Sequence, residues 1–222
     1  MADRAGALRL ALAVLVLLGA CEGKQLGFKP SHIGGSFLQV RHDTSVLLSG
    51  AVGSGQFEGT GTYVLVDVAN PLSVAVIATL EGDLLDANGT VVGALNRDSL
   101  RIPAGAQRTF ALVHHAAQVA SAVSADIRVS HAQLANYEPT IGMSDANVYE
   151  DNDRVVVAAN LHNDTDKETI VVVIAGFYDA AGKIMKRPHT VLRIPSAVTS
   201  PARFVGPPGS KTGYLFLGEQ IY

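Results

Sequence analysis

The chain has 222 residues, of which 48% are apolar and 17% charged, and its formal net charge is −3. With a single cysteine it can form no internal disulfide, so its stability must come from a packed core. A mildly acidic chain without a basic stripe lacks the electrostatic footprint of nucleic-acid binding, and no nucleic-acid partner is expected.

Residues 1–20 have the three parts of an export signal. Arg4 and Arg9 give a positive start, residues 10–18 form an unbroken apolar run, and Gly19 and Ala20 are small. The run falls short of the ~20 residues that span a bilayer. The order Leu18-Gly19-Ala20-Cys21 resembles the bacterial lipobox. That resemblance implies cleavage before Cys21 and acyl chains on Cys21 as a membrane anchor. Several chains hold firmly where one does not, because each buried CH₂ contributes ~0.8 kcal/mol. Glu22 in the sorting position implies an outer-membrane address facing the periplasm. Without residues 1–20 the chain keeps 15 Lys+Arg against 19 Asp+Glu, a formal charge of −4. Residues 21–35 are glycine-punctuated and aperiodic, and read as a lipidated tether.

The remainder contains an internal repeat, which divides it into domains at 36–135 and 136–222. Asn70 and Asn163, Asp86 and Asp179, and Gly89 and Gly182 are each 93 residues apart. Leu100-Arg101-Ile102-Pro103 recurs as Leu192-Arg193-Ile194-Pro195 after 92. Arg108 and Phe110 have a looser match in Ala202 and Phe204.

In the first copy, Val64, Val66 and Val68 lie on one face of a strand, with Leu65 and Asp67 on the other. Asn70-Pro71 ends it. Residues 74–85 form a longer strand, and Asp86-Ala87-Asn88-Gly89 supplies the positive φ that a tight hairpin needs. Strands follow at 90–93, 99–102, 108–113 and 126–130, and a short helix fits residues 115–123. In the second copy strands are predicted at 154–162, 169–178, 183–185, 191–194, 202–205 and 213–217. The strand 169–178 is apolar on both faces, so it is central or covered. Short strands at regular spacing with turn signals predict an all-β chain of two tandem immunoglobulin-like β-sandwich domains.

The run Gly176-Phe177-Tyr178-Asp179-Ala180-Ala181-Gly182 resembles the immunoglobulin-like FxLYD family and the related LEA14 type. Asp83-Leu84-Leu85-Asp86-Ala87-Asn88-Gly89 is a weaker version without the aromatic pair. The second copy, ending in Tyr214-Leu215-Phe216-Leu217, is also similar to small periplasmic lipoproteins of the YcfL type. The resemblance implies a sandwich fold; its motifs encode a hairpin and no activity.

Three segments invite a functional reading. Gly206-Pro207-Pro208-Gly209-Ser210-Lys211-Thr212 fails as a phosphate loop: Ser210 separates glycine from lysine and a strand follows, so it reads as an exposed loop between strands. His114 and His115 are adjacent and point to opposite faces of a strand, while His162 and His189 are the pair to check for proximity. Residues 144–153 read as a solvated acidic linker between the domains. Asp145, Asn147, Asp151 and Asp153 in it are a weak Ca²⁺ candidate, since calcium needs six to eight converging oxygens. No nucleophile–base motif and no cofactor motif stands out. The expectation is a non-enzymatic envelope module, membrane-held through Cys21, with an envelope protein partner. The alternatives are an apolar small-molecule or lipid carrier and a Ca-stiffened strut.

Overall fold

The computed structural model describes residues 34–52, 59–116 and 118–221. Leu18, Gly19, Ala20, Cys21 and the tether through residue 33 lie outside the described residues. The strands of the first repeat are β1 (Gln39–Val52), β2 (Gly59–Ala69), β3 (Val76–Leu85), β4 (Val91–Ile102), β5 (Gln107–His114) and β6 (Ser124–Leu134). Those of the second are β7 (Ile141–Asp151), β8 (Arg154–Asn163), β9 (Thr169–Tyr178), β10 (Ile184–Lys186), β11 (His189–Ile194), β12 (Thr199–Val205) and β13 (Thr212–Ile221). Every pairing is antiparallel.

The chain is all-β, and each repeat is a two-sheet sandwich. In the first, sheet β1-β2-β5 packs on sheet β4-β3-β6. In the second, β7-β8-β12 packs on a sheet centred on β9, with β13 along one edge and β10 then β11 along the other. Strand for strand the repeats correspond, β4 being matched by the broken pair β10 and β11.

The shared landmarks perform the same local work in both copies. Buried Asn70 donates its amide to the carbonyls of Val74 (2.8 Å) and Ile102 (3.1 Å), and buried Asn163 donates to those of Lys167 and Ile194, both at 2.8 Å. Each asparagine thus ties the strand-end turn to the far end of the neighbouring sheet. Asp86 accepts from the backbone N–H groups of Asn88 and Thr90, and Asp179 accepts from those of Ala181 and Lys183. Gly89 (φ 79°) and Gly182 (φ 75°) then take the left-handed position that closes each hairpin.

Several expectations need correction. The strands expected at 90–93 and 99–102 are parts of one long strand, β4, which begins at Val91 and follows β3 through register shifts at Leu80/Gly82 and Leu84/Leu85. No helix occurs among the described residues of 115–123, which turn and then enter β6; from this turn Val119 and Ala122 pack against the core of the first repeat. The acidic run 144–153 is not a linker. It is most of β7 and its tight turn into β8, with Asn152 and Asp153 at φ 51° and 56°. Alternating apolar residues, the cue for a strand, are missing because β7 is an edge strand whose side chains are mostly exposed. Strand β1 likewise gave no cue.

The largest difference from an independent pair of domains lies in the odd-numbered face of β2. Val64, Val66 and Val68 fill the first sandwich, as their alternation predicts. Leu65 on the opposite face is also buried, packed with Tyr178 and Ile184 of the second repeat. Strand β9 mirrors this. Val171, Val173, Ala175 and Phe177 point into the second sandwich, while Ile174 joins the core of the first. Fully burying such a side chain contributes ~1.5–3 kcal/mol, so this shared layer stabilises both halves together.

Candidate functional site

The junction between the repeats is where polar chemistry concentrates. Asp67 on β2 and Thr109 on β5 are cross-strand partners, both buried. Tyr178 closes β9, and Tyr214 lies beside it on β13. Gly176 lets the Tyr214 ring lie across β9, since a Cβ there would come within 3.2 Å of it. The two phenol rings stack with centroids 5.6 Å apart, and Tyr214 stacks in turn on Phe216 at 5.4 Å.

Four oxygens meet at this point. Asp67 Oδ1 accepts from Thr109 Oγ1 at 2.5 Å and from the Tyr178 hydroxyl at 2.9 Å. The Tyr214 hydroxyl lies 2.6 Å from Thr109 Oγ1 and 2.9 Å from the Tyr178 hydroxyl. Each hydroxyl has one proton: with Thr109 and Tyr178 donating to the carboxylate, Tyr214 donates either to Thr109 or to the Tyr178 hydroxyl. Burial pushes the Asp67 carboxyl above its ordinary value, opposed by the two hydroxyl donors and by the charge of Arg41. Burial also raises both phenols, Tyr178 strongly, with nearby Asp67 adding to the rise. They therefore stay protonated near neutrality and serve as hydrogen-bond partners rather than bases. Chemically, the cluster is a clamp between repeats.

A second cross-link lies nearby. Arg187, which follows β10, donates to Asp98 of β4 at 3.3 Å, and the same carboxylate accepts the backbone N–H of Ala111 at 2.9 Å. Burial lowers the pKa of Arg187, with Asp98 acting against it. His189 is lowered by its own burial and by the charge on Arg187.

Several cavities border the junction. One of about 680 Å³ is lined by Arg41, Asp67, Arg108, Tyr178 and Tyr214. One of about 590 Å³ lies by Tyr63, Leu65, Arg187 and His189. One of about 240 Å³ is lined by Arg101, Arg108, Tyr137, Ile141, Phe216 and Leu217, among others.

The residues singled out from the sequence lie elsewhere. Leu18, Gly19, Ala20 and Cys21 are outside the described residues. Asp145 sits at a register shift in β7 with φ 52° and accepts from Asn160 at 2.9 Å. Asp151 accepts from Asn152, and Asp153 pairs with Lys211 at 2.8 Å. Asn147 is exposed on β7. No group of three His, Cys, Asp or Glu side chains suited to a metal occurs among the described residues. His162 bonds Thr199 and pairs with Asp164, on a different sheet from His189.

The segment 206–212 does connect two strands, but it is not simply exposed. Ser210 is fully buried, accepts the backbone N–H of Val155 and donates to the Pro207 carbonyl. A side chain at Gly206 would strike Ser210 and the Phe177 ring.

Reading the sequence missed Asp67, Thr109, Arg108 and the role of Tyr178 and Tyr214. The one available signal was a carboxylate in the middle of the apolar strand Val64-Leu65-Val66-Asp67-Val68. A buried acid needs donors, and they come from positions 109 and 178, distant in sequence.

No family model matches the chain, and no curated protein does. Among solved structures it is similar to red sea bream transglutaminase, at 11% identity and TM-score 0.27, over 77% of this chain and 28% of that one. It is also similar to the N-terminal CBM22-1–CBM22-2 tandem domain of Paenibacillus barcinonensis Xyn10C, at 7% identity and TM-score 0.15, over 83% of this chain and 86% of that one.

Proposed function

We propose that this chain is a lipid-anchored protein of the bacterial cell envelope that acts without catalysis, as a rigid module for protein interaction or spacing on the periplasmic face of the outer membrane. The anchor rests on Leu18-Gly19-Ala20-Cys21. The observation that carries the module is the clamp of Asp67, Thr109, Tyr178 and Tyr214, because it removes the hinge that two tandem sandwiches would otherwise have. A body without a hinge presents surfaces of fixed spacing, which suits a spacer or a docking platform better than a closing cleft.

The test is metabolic labelling with an alkyne fatty acid, followed by envelope fractionation and mild cross-linking. The expected result is label on a peptide beginning at Cys21, lost in Cys21→Ala, and a cross-linked partner of fixed stoichiometry. A mature N-terminus elsewhere, or an unlabelled chain, overturns the anchor. Absence of any cross-linked partner overturns the interaction reading in favour of a spacer or carrier.

A further inference from the structure

Arg108 is a cation in an unusual setting. It sits on β5 at the junction, and its guanidinium carbon lies 4.9 Å above the centroid of the Phe216 ring. Among the described residues its one hydrogen bond runs from Nη1 to the Gln107 carbonyl at 2.8 Å. Its Nε is out of solvent and makes no hydrogen bond among the described residues. No carboxylate side chain among the described residues pairs with it. Burial lowers its pKa, and the charge of Arg101 adds to the effect.

Arg101 lines the same cavity. Its side chain is 15% exposed and pairs at Nη2 with Glu138, which is itself 89% exposed. Its Nε, too, is buried and has no hydrogen-bond partner among the described residues. Two guanidiniums therefore line one space, and among the described residues the solvated Glu138, held by Arg101, is the carboxylate that pairs with either of them. Taking a guanidinium out of water is costly unless an anion with good geometry repays it. The remaining walls are apolar or aromatic, from Ile141, Leu217, Phe216 and Tyr137. A bare inorganic ion would leave those walls against water.

We propose that this cavity, between β4 and β5 of the first repeat and β7 and β13 of the second, binds a small organic anion, a monocarboxylate with an apolar body. The carboxylate meets Arg108 and Arg101, whose planar forks suit it. The apolar body lies on Phe216, Ile141 and Leu217. At ~30 Å³ per water, a space of about 240 Å³ takes roughly eight to ten non-hydrogen atoms. That is the size of a six- to eight-carbon fatty acid or a small aromatic acid. The site needs both repeats, which gives their fixed arrangement a use beyond rigidity. It does not depend on the lipid anchor, so the labelling experiment above and the binding experiment fail separately.

The full chain, held in a neutral alkyl maltoside, is titrated calorimetrically with hexanoate, hexanamide and acetate. Hexanamide has the size of hexanoate without its charge, and acetate has the charge without the apolar body. Hexanoate is expected to bind at least about tenfold more tightly than either, as a charge-assisted bond in an apolar site requires. Arg108→Met is expected to abolish that preference and to raise the melting temperature of the ligand-free chain, because it removes a desolvated charge and keeps the apolar volume. A merely structural Arg108 predicts the opposite sign in melting temperature. Arg41→Met, a change in the neighbouring cavity, should leave hexanoate affinity unchanged. Equal binding of hexanoate and hexanamide, no binding of hexanoate, or unaltered hexanoate affinity in Arg108→Met overturns the proposal.

Discussion

Asp67 shows how a single residue records its surroundings. Asp67 is 1% exposed, and the Thr109 and Tyr178 hydroxyls and the more distant Arg41 favour its charged form against the larger effect of burial. Its pKa is raised in the fold, with burial the largest cause, above the ordinary 3.8. The sign of the consequence follows from linkage. A raised carboxyl favours the folded state fully below the unfolded value, and that contribution is lost as pH rises through the folded value. Asp67→Asn keeps an acceptor for both hydroxyls and has no charge to bury. The stability of the wild-type chain relative to Asp67→Asn is therefore expected to be greatest below about pH 4 and to decline toward neutrality. Urea denaturation of both proteins at several pH values measures this difference; a wild-type advantage that grows with pH would contradict it.

At the scale of elements, the two repeats supply an internal control. Pro103-Ala104-Gly105 and Pro195-Ser196-Ala197 turn the chain in the same way, with Ala106 N–H to Pro103 O and Val198 N–H to Pro195 O both at 3.2 Å. Gly105 holds φ 65° in the first copy, and Ala197 holds φ 56° in the second. A left-handed alanine costs ~1–2 kcal/mol, against which glycine loses more chain entropy on folding. Ala197→Gly is expected to stabilise the chain by about 0.5–1 kcal/mol. The reverse change at Gly105, to alanine, is expected to destabilise it by a similar amount. Chemical denaturation of the two variants is the measurement, and identical signs at the two sites would refute the equivalence.

Strands with alternating or dense apolar residues were legible in the sequence, and β9 was placed at 169–178 as it stands. Hairpins at Asp86 and Asp179 were legible because an Asx side chain and a following glycine dictate the turn locally. Strand β7 was not, because an edge strand carries solvated side chains and is defined by pairing with β8 instead. Its bulge at Asp145 and its charges at Glu150 and Asp151 blunt an otherwise open edge.

At the scale of the molecule, the repeats share a core. Ile174 and Phe216 of the second repeat belong to the main cluster of the first, and Leu65 of the first packs with Tyr178 and Ile184 of the second. Arg187 and Asp98 add a partly desolvated ion pair across the same junction. Residues 34–221 are accordingly expected to unfold in one cooperative transition, the same by circular dichroism and by tyrosine fluorescence. Two separated transitions would show that the repeats are independent. A chain cut after the first repeat exposes Leu65 and buried Asp67 to water and is expected to aggregate, so deletion of one repeat is a poor route to mapping a partner.

The sequence by itself determined the strands with a buried face, the hairpins, the duplication and the all-β class, because each depends on residues within a few positions of one another. Only the tertiary structure decided that the outer faces of β2 and β9 are covered, that Asp67 meets two tyrosines from the other repeat, and that two arginines share an apolar cavity. Those contacts join distant positions: Asp67 and Tyr178 are 111 residues apart, and Arg108 and Phe216 are 108 apart. No periodicity within either repeat encodes which face of a sandwich meets its twin; that is set by shape and by the cost of leaving Leu65 and Ile174 in water.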